Sequence, residues 1–223
     1  MEGYHVQQIK REEARPWILT KHYAHRMPSV SYAFGLYQDG ELVGVCTFGT
    51  PATAPCRQGP LGKEYELFVM ELNRLCVECD KKNATSLLVG NALNKFPDKP
   101  KLIVSYADTG QNHIGYIYQA TNWIYTGCVK GDTQIISNGR IMHRQTAKDV
   151  FKSSSVIEMR KIDPDVKIQK LGDKHRYVYF VGSKTQKKQM RKALRYPVLP
   201  YPKGESKRYD AGGAVPTQQL LFG

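Results

Sequence analysis

The sequence predicts an α/β (α+β) chain. A mixed, partly antiparallel six- to seven-stranded sheet is flanked by helices and followed by a basic C-terminal extension. Three observations predict this. Strand-like and helix-like periodicities alternate along the first two thirds of the chain. Asp39-Gly40, between apolar alternations at Tyr32–Gln38 and Leu42–Phe48, marks a hairpin, which makes part of the sheet antiparallel. Charge is blocked: of a formal net +13, residues 174–208 hold 11 Lys and Arg against Glu205 alone, whereas residues 1–173 hold 22 against 18 acidic side chains.

Tyr4–Lys10 reads as a short strand. Glu12–Arg26 starts charged and continues with helix formers, turning Trp17, Ile18 and Tyr23 inward. After the hairpin, Thr50–Gly62 is a Pro-, Gly- and Thr-rich loop. Tyr65–Glu78 reads as a long strand, apolar at Leu67, Val69, Leu72, Leu75 and Val77, with a bulge where the alternation slips. Lys81-Lys82-Asn83 breaks it. Ala84–Phe96 has helical spacing with Leu87, Leu88, Leu93 and Phe96 inward, closed by Pro97 and Pro100. Leu102–Asp108 is a buried strand ending in a carboxylate, Gln111–Asn122 a helix and Ile124–Val129 a strand. Val150–Gln169 shows no clear period. His175–Val181 alternates as a strand, and Lys184–Arg195 has helical spacing. The expected organisation is one body over 1–183, a basic helix over 184–196, and a flexible Pro/Gly-rich tail over 197–223.

With 41% hydrophobic and 24% charged residues, the chain has enough apolar side chain for a packed core, which excludes overall disorder. No apolar run approaches the ~18–20 residues of a membrane helix. The first residues have neither a charged n-region nor an apolar h-region, so no membrane partner and no secretion are expected. The cysteines at 46, 56, 76, 79 and 128 read as reduced thiols of a cytoplasmic protein. Cys76-Val-Glu-Cys79 lacks the second pair that a zinc site needs, and on a strand its two thiols would point to opposite faces. No GxxxxGK[ST] or GxGxxG nucleotide loop occurs.

Four clusters could carry chemistry. Lys21-His22-Tyr23-Ala24-His25-Arg26 packs proton-transfer groups into six residues. His22 and His25, three apart, would share a helix face as a metal pair; the plain alternative is a solvated cationic helix end. Asp108 ends an apolar strand before a helix, where it suits either a ligand site or an N-cap, and Tyr116 and Tyr118 follow on the helix. Asn73-Arg74 lies on the long strand, and Asn83–Ser86 opens a helix whose N–H groups suit an anion. Lys184, Lys187, Lys188, Arg191, Lys192 and Arg195 form a basic helix face suited to phosphates, or simply solvated. Gln218-Gln219-Leu220-Leu221-Phe222 is apolar at the end of a polar tail and is similar to the Gln-x-x-Leu-Phe peptides that dock on bacterial sliding clamps, through Gln218, Leu221 and Phe222.

Tyr106–Gly127, with Lys21-His22-Tyr23-x-His25-Arg26-Met27-Pro28 and Phe34-Gly-x-Tyr37…Gly44-Val-x-Thr-Phe-Gly-Thr50, resembles the Mom family of phage DNA-modifying proteins over about residues 17–130. That family is similar in fold to GNAT acyltransferases, so the resemblance implies a GNAT-like catalytic domain. It also implies a transferase that places a carbamoylmethyl group on N6 of adenine in duplex DNA, hiding phage DNA from restriction in the infected host's cytoplasm. On this resemblance His22, Tyr23, Asp108 and Tyr118 are the catalytic candidates. Arg74, Asn83 and Ser86 face an acyl-CoA-like or other acyl or glycyl donor, and Arg26 joins the basic helix as DNA-binding. Iron held by His22 and Asp108 is implied as well. Lys81–Ser86 has no glycine where GNAT enzymes carry a Gly-rich pyrophosphate loop, a departure that bears on acetyl-CoA as donor. Two other classes fit the residues: a GNAT-like acyltransferase acting on tRNA, protein or a small molecule, and a non-enzymatic basic DNA-binding protein.

Overall fold

Strand β1 (Tyr4–Ile9) pairs antiparallel with β2 (Tyr32–Gln38), and β2 with β3 (Glu41–Gly49), in a computed structural model that describes residues 3–204 without the side chains of residues 143–145. Asp39 and Gly40 make the hairpin turn at φ 48° and 90°, the left-handed pair that matches strand twist. Helix α1 (Arg11–Thr20) lies between β1 and β2 in sequence, its start capped by Glu13, whose carboxylate accepts from the Lys10 N–H at 2.8 Å. It is shorter than its helix formers suggest. Both Lys21 and His22 N–H groups turn back to the Trp17 carbonyl, and His25 at φ 42° leaves the helical region. His22 and His25 therefore share no helix face.

A short helix α2 (Ala54–Gln58) and a 3-10 turn (Lys63–Phe68) precede β4 (Val69–Val77), so the expected long strand starts four residues late. Leu67, placed inward by alternation, is 81% exposed on that turn. The bulge is present. Thr47 pairs with Arg74 and Phe48 with Leu72, which leaves Asn73 as the extra residue. Cys79 lies beyond the end of β4, so the two thiols are not opposite faces of one strand.

Helix α3 (Ala84–Asn94) follows, then β5 (Lys101–Asp108), a 3-10 turn (Thr109–Gln111), α4 (Tyr116–Ala120) and β6 (Ile124–Val129). The expected helix over 111–122 is thus split, because Asn112 and Gly115 take left-handed φ of 55° and 80°. A Cβ at Gly115 would overlap the Tyr177 ring, so glycine is needed there for space as well as conformation. Strands β7 (Thr133–Ser137) and β8 (Arg140–His143), helices α5 (Arg144–Phe151) and α6 (Val156–Ile162), and β9 (Lys167–Lys170) come next. Strand β10 (Lys174–Val181) and helix α7 (Lys184–Ala193) complete the regular elements.

The described residues form two compact bodies: 3–106 with Ile114–Gly127 and 176–204, and Ala107–His113 with Cys128–His175. The first contains the large sheet, ordered β1-β2-β3-β4-β5-β10-β6 and mixed, because β4 and β5 pair in parallel. One sheet face packs Ala33, Val45 and Cys76 against Ala14 and Ile18 of α1. Further along, Val69, Leu102, Val104 and Val178 pack against Leu61 and Met190 of α7. On the opposite face the rings of Phe34, Phe48 and Phe96 meet at 5.1–6.5 Å centroid spacing, where α3 covers the sheet. Residues 197–204, expected to be part of a loose tail, are tied down instead. Leu199 N–H donates to Tyr125 O at 3.0 Å and Tyr201 Oη to Trp123 O at 2.6 Å. The second body holds a three-stranded antiparallel sheet, ordered β8-β7-β9, over a core of Ile135, Ala147, Phe151, Met159 and Val166.

Candidate active site

In the first body, the segment after α1 is laid over the β4 bulge and bonded to it. The extra residue Asn73 accepts from Thr47 Oγ1 at 2.7 Å and donates its amide to Ser29 O at 2.8 Å. Arg74 donates from Nε and Nη2 to Arg26 O at 3.3 and 3.1 Å, and from Nη1 to its neighbour's carbonyl, Asn73 O, at 2.6 Å. Ser31 N–H joins Phe48 O at 2.8 Å. Gly49 makes the approach possible, since a Cβ there would overlap the Ser29 carbonyl. The sheet bulge thus shapes the His22–Ser31 loop, and the loop presents the His-Tyr pair.

His22 is buried, and its Nδ1 accepts the Ala24 N–H at 3.1 Å, which fixes a neutral ring with its proton on Nε2. Its ring stacks on Tyr23 at 4.4 Å, and Tyr23, expected inward, is 45% exposed. His25 Nδ1 bonds Leu19 O at 2.9 Å, which uses that histidine to close the turn. Burial lowers the Arg74 pKa; the nearby Tyr23 and Glu71 oppose that shift and Arg26 adds to it. Arg74 therefore does two things: it clasps the loop backbone, and it puts a cation beside Tyr23 and Glu71.

Glu71 and Tyr106 were not singled out as a pair by the sequence. Glu71 pairs with Gly49 on one side and Val104 on the other, which puts it on the same sheet face as Thr47, Arg74 and Tyr106. The Tyr106 hydroxyl is held neutral well above its ordinary range by burial first, then by Cys56 and Glu71, with Arg176 opposing. Arg176 itself sits 3.4 Å over the Tyr196 ring and bonds Thr126 Oγ1 and O. Parity along β4, corrected for the bulge, is the signal that could have found Glu71.

The parallel pairing of β4 with β5 covers Val69–Glu71 and Leu102–Val104, after which both strands run on. At that opening, Ser105 Oγ lies 2.8 Å from Leu72 O and 2.7 Å from Tyr118 Oη. The serine hydroxyl is the donor in both contacts, its one proton shared between the Leu72 carbonyl and the Tyr118 phenol oxygen. The Tyr118 ring is buried against Trp123 and Tyr177 at 5.0 and 5.2 Å.

The anion-site candidates stand at the start of α3. Asn83 is its left-handed N-cap at φ 70°, and Ser86 Oγ donates to Asn83 O at 2.9 Å, with Lys81 and Lys82 exposed just before. On α7, Lys184, Lys188, Arg191 and Lys192 are exposed. Lys187 lies 5.9 Å over the Tyr179 ring, and Arg195, just past the helix, faces Glu64 at 3.5 Å.

Asp108 belongs to the second body. Its Oδ1 accepts from Gly110 N–H at 2.8 Å, the capping use foreseen for a strand-end Asp. Its main-chain carbonyl accepts from His113 N–H at 3.1 Å, and its carboxylate raises the His113 pKa against a larger lowering by burial. Among the described residues no group of three or more His, Cys, Asp or Glu gathers to hold a metal. His22 Nδ1 and Asp108 Oδ1 each accept a backbone N–H, so neither of those two atoms is placed as a metal ligand.

The family model for the Mom protein family matches residues 3–203. The chain belongs to the Mom protein family. A relative, the methylcarbamoylase Mom of Escherichia phage Mu, is 24% identical over 212 residues, covering 90% of this chain and 86% of its own. Among solved structures, an IAA acetyltransferase from Bacillus cereus is similar at TM-score 0.45 and 13% identity, over 80% of this chain and 99% of its own. A GNAT family acetyltransferase from Elizabethkingia anophelis is similar at TM-score 0.41 and 12% identity, over 81% of this chain and 100% of its own. The Mom family match spans the loop over the bulge, the β4–β5 opening and the whole second body. Among the described residues no helix is long and apolar enough to cross a membrane.

Proposed function

We propose that this Mom family chain is a DNA-modifying transferase acting in the infected host's cytoplasm, adding a carbamoylmethyl group to N6 of adenine in phage DNA and so protecting it from restriction. The observation that carries the reading is the family match over residues 3–203 together with the phage Mu methylcarbamoylase.

Adenine N6 is a weak nucleophile, because its lone pair is shared with the ring, and the base must leave the stack at a cost of about a few kcal/mol. The exposed Tyr23 ring, carried on the clasped loop beside the Arg74 cation, offers a stacking surface that offsets this. His22, neutral with its proton on Nε2, is a hydrogen-bond donor. On the family resemblance Asp108 takes the N6 proton, directly or through Tyr118. An acyl-CoA-like or other acyl or glycyl donor fits the β4–β5 opening, its amides meeting strand edges and its anionic end meeting Asn83, Ser86 and the lysines before α3. Attack on an acyl carbon would leave an amide on N6, so the carbamoylmethyl product requires that the new N6–C bond form at the donor's methylene carbon as the leaving group departs from that carbon with its electron pair. Arg74 positions the loop while lending its charge to the site. Arg26 and the α7 cations hold phosphates without reading sequence.

The test is expression in a bacterium, digestion of its DNA to nucleosides and mass spectrometry. Wild type yields an adenosine heavier by a carbamoylmethyl group, and Asp108→Ala lowers its yield at least tenfold. An unchanged yield in Asp108→Ala overturns the proton assignment. Modification confined to tRNA or protein would favour the other acyltransferase class.

A further inference from the structure

The small sheet of the second body has one face covered by its helices. Across the strands Ile135 stands opposite Met142 and Ile168, and Ile135 and Met142 pack with Ala147, Phe151 and Met159 of α5 and α6. Side chains alternate along a strand, so the neighbouring rows turn the other way. One row pairs Gln134 with Gln169; the next aligns Ile141, Ile136 and Lys167, with Ile141 46% exposed.

The chemistry of these rows is specific. Gln134 Nε2 donates to Gln169 Oε1 at 2.8 Å, which orients both amides. The pair still presents a carbonyl oxygen on Gln134 and an N–H on Gln169, side by side. In the major groove adenine presents the complement, an N6–H donor next to the N7 acceptor. Ile136 and Ile141 offer methyl contact of the kind a thymine methyl accepts, and Lys167 offers a phosphate contact. Rows two residues apart are spaced about 7 Å along the strand, about two base-pair steps. Strand β9 is an edge of the three-stranded sheet, so the β7–β9 pair forms a two-stranded margin on that side, and a pair of strands is an element the groove admits.

Charge agrees. The second body has ten Lys and Arg, counting Arg144, against seven Asp and Glu. Neither row contains a carboxylate. Five of the body's seven acids bond within it: Asp108 accepts from Gly110 N–H, Asp132 from Thr133 N–H, Asp163 from Ser137 and Asp165 N–H, Asp173 from Gly131 N–H, and Glu158 pairs with Lys161.

We propose that the β7–β9 margin enters the major groove of duplex DNA and selects the sequence flanking the modified adenine, with the Gln134–Gln169 pair reading an adenine there. This rests on the chain being a DNA-modifying enzyme. The experiment has two arms, both on the full-length protein. In the first, flanks of modified adenines are sequenced in DNA from cells expressing wild type, Gln134→Ala, Gln169→Ala or Gln169→Glu. Wild type prefers adenine at one fixed offset. Either alanine variant lowers that preference by roughly tenfold, the scale of one bidentate base contact. Gln169→Glu, which replaces a donor by an acceptor, moves the preferred base at that offset toward cytosine, whose N4 donates. An unchanged flank profile in all three variants overturns the proposal.

The second arm needs no reaction. It is competition binding of the same proteins to duplexes that carry or lack an adenine at each offset. If wild type modifies no DNA, the enzymatic reading fails, while a loss of duplex discrimination in the variants still upholds the groove contact. Equal binding of wild type and variants to every duplex sinks it. A concentration-dependent sedimentation shift that Gln134→Ala removes, without any change in DNA binding, would assign the face to a second copy of the chain and also overturn the proposal.

Discussion

Gly49 shows how much one missing methyl decides. The Ser29 carbonyl occupies the space of its Cβ, so Gly49→Ala must lift the loop carrying His22 and Tyr23 from the bulge. A loss of about 1–3 kcal/mol is expected, the scale of overpacking. Modification should fall by more than tenfold, and urea unfolding together with the nucleoside assay checks both. The bulge was legible as a slip in alternation. The glycine's purpose was not, because the atom that needs its space is twenty residues away in sequence. Arg74 is a similar case: sequence shows a cation on a strand, and only the fold reveals that three of its bonds go to main-chain carbonyls. His113 carries a pH prediction. Burial lowers its folded pKa below the unfolded value, so between the two the unfolded chain binds more protons. Its contribution to stability is present above about pH 6.5 and is lost as pH falls through the folded value. Urea midpoints should drop on acidification below that point, and His113→Gln should flatten the drop. An equally steep drop in the variant rules His113 out as its source.

Elements were legible where local chemistry and packing agree. The Asp39-Gly40 hairpin, the α3 register with Leu88, Leu93 and Phe96 buried, and the strand before Asp108 follow from patterns that the core also demands. Helix ends were less legible, since α1 stops where backbone groups find Trp17 and where His25 turns left-handed, neither of which a propensity records. The strands β7, β8 and β9 escaped because they are short and one row of each faces away from the core, so alternation is diluted by Gln and Lys. Helix α7 was plain. Ser183 and Gln186 form its capping box, Met190 anchors it, and its cations stand outward. Those cations make the element-scale prediction. Lys188→Ala with Lys192→Ala should reduce the salt slope of duplex binding by about 2, with little dependence on sequence. An unchanged slope would mean that the face is merely solvated.

At the scale of the molecule, the net +13 suggested a polyanion but not how the chain is divided. Its second body is assembled from two separated stretches, Ala107–His113 and Cys128–His175, and a linear reading has no boundary to find between segments that rejoin only in space. The family resemblance reached the function because its motifs lie on the loop after α1, the β2–β3 hairpin and the run from the end of β5 through α4 to β6, which the fold supplies with fixed geometry. The terminal Gln218-Gln219-Leu220-Leu221-Phe222 lies outside the described residues and is carried as a proposal of sliding-clamp docking. Deleting Gln218–Gly223 should abolish clamp pull-down and leave modification of purified DNA unchanged. Equal pull-down by the truncated chain removes the idea.

The parting of β4 and β5 after three paired residues gives the sheet a built-in reporter. Strand edges that separate leave the amide protons of residues 72–77 and 105–106 that face the gap, roughly every second one, without the ladder they would otherwise share, while the rest of β4 stays bonded to β3, so deuterium should enter at the gap-facing positions faster than in β2 or β3. A molecule lodged in the gap would slow that uptake on both sides at once. Candidate donors could then be ranked by mass shift of two peptides, before any product is ever detected.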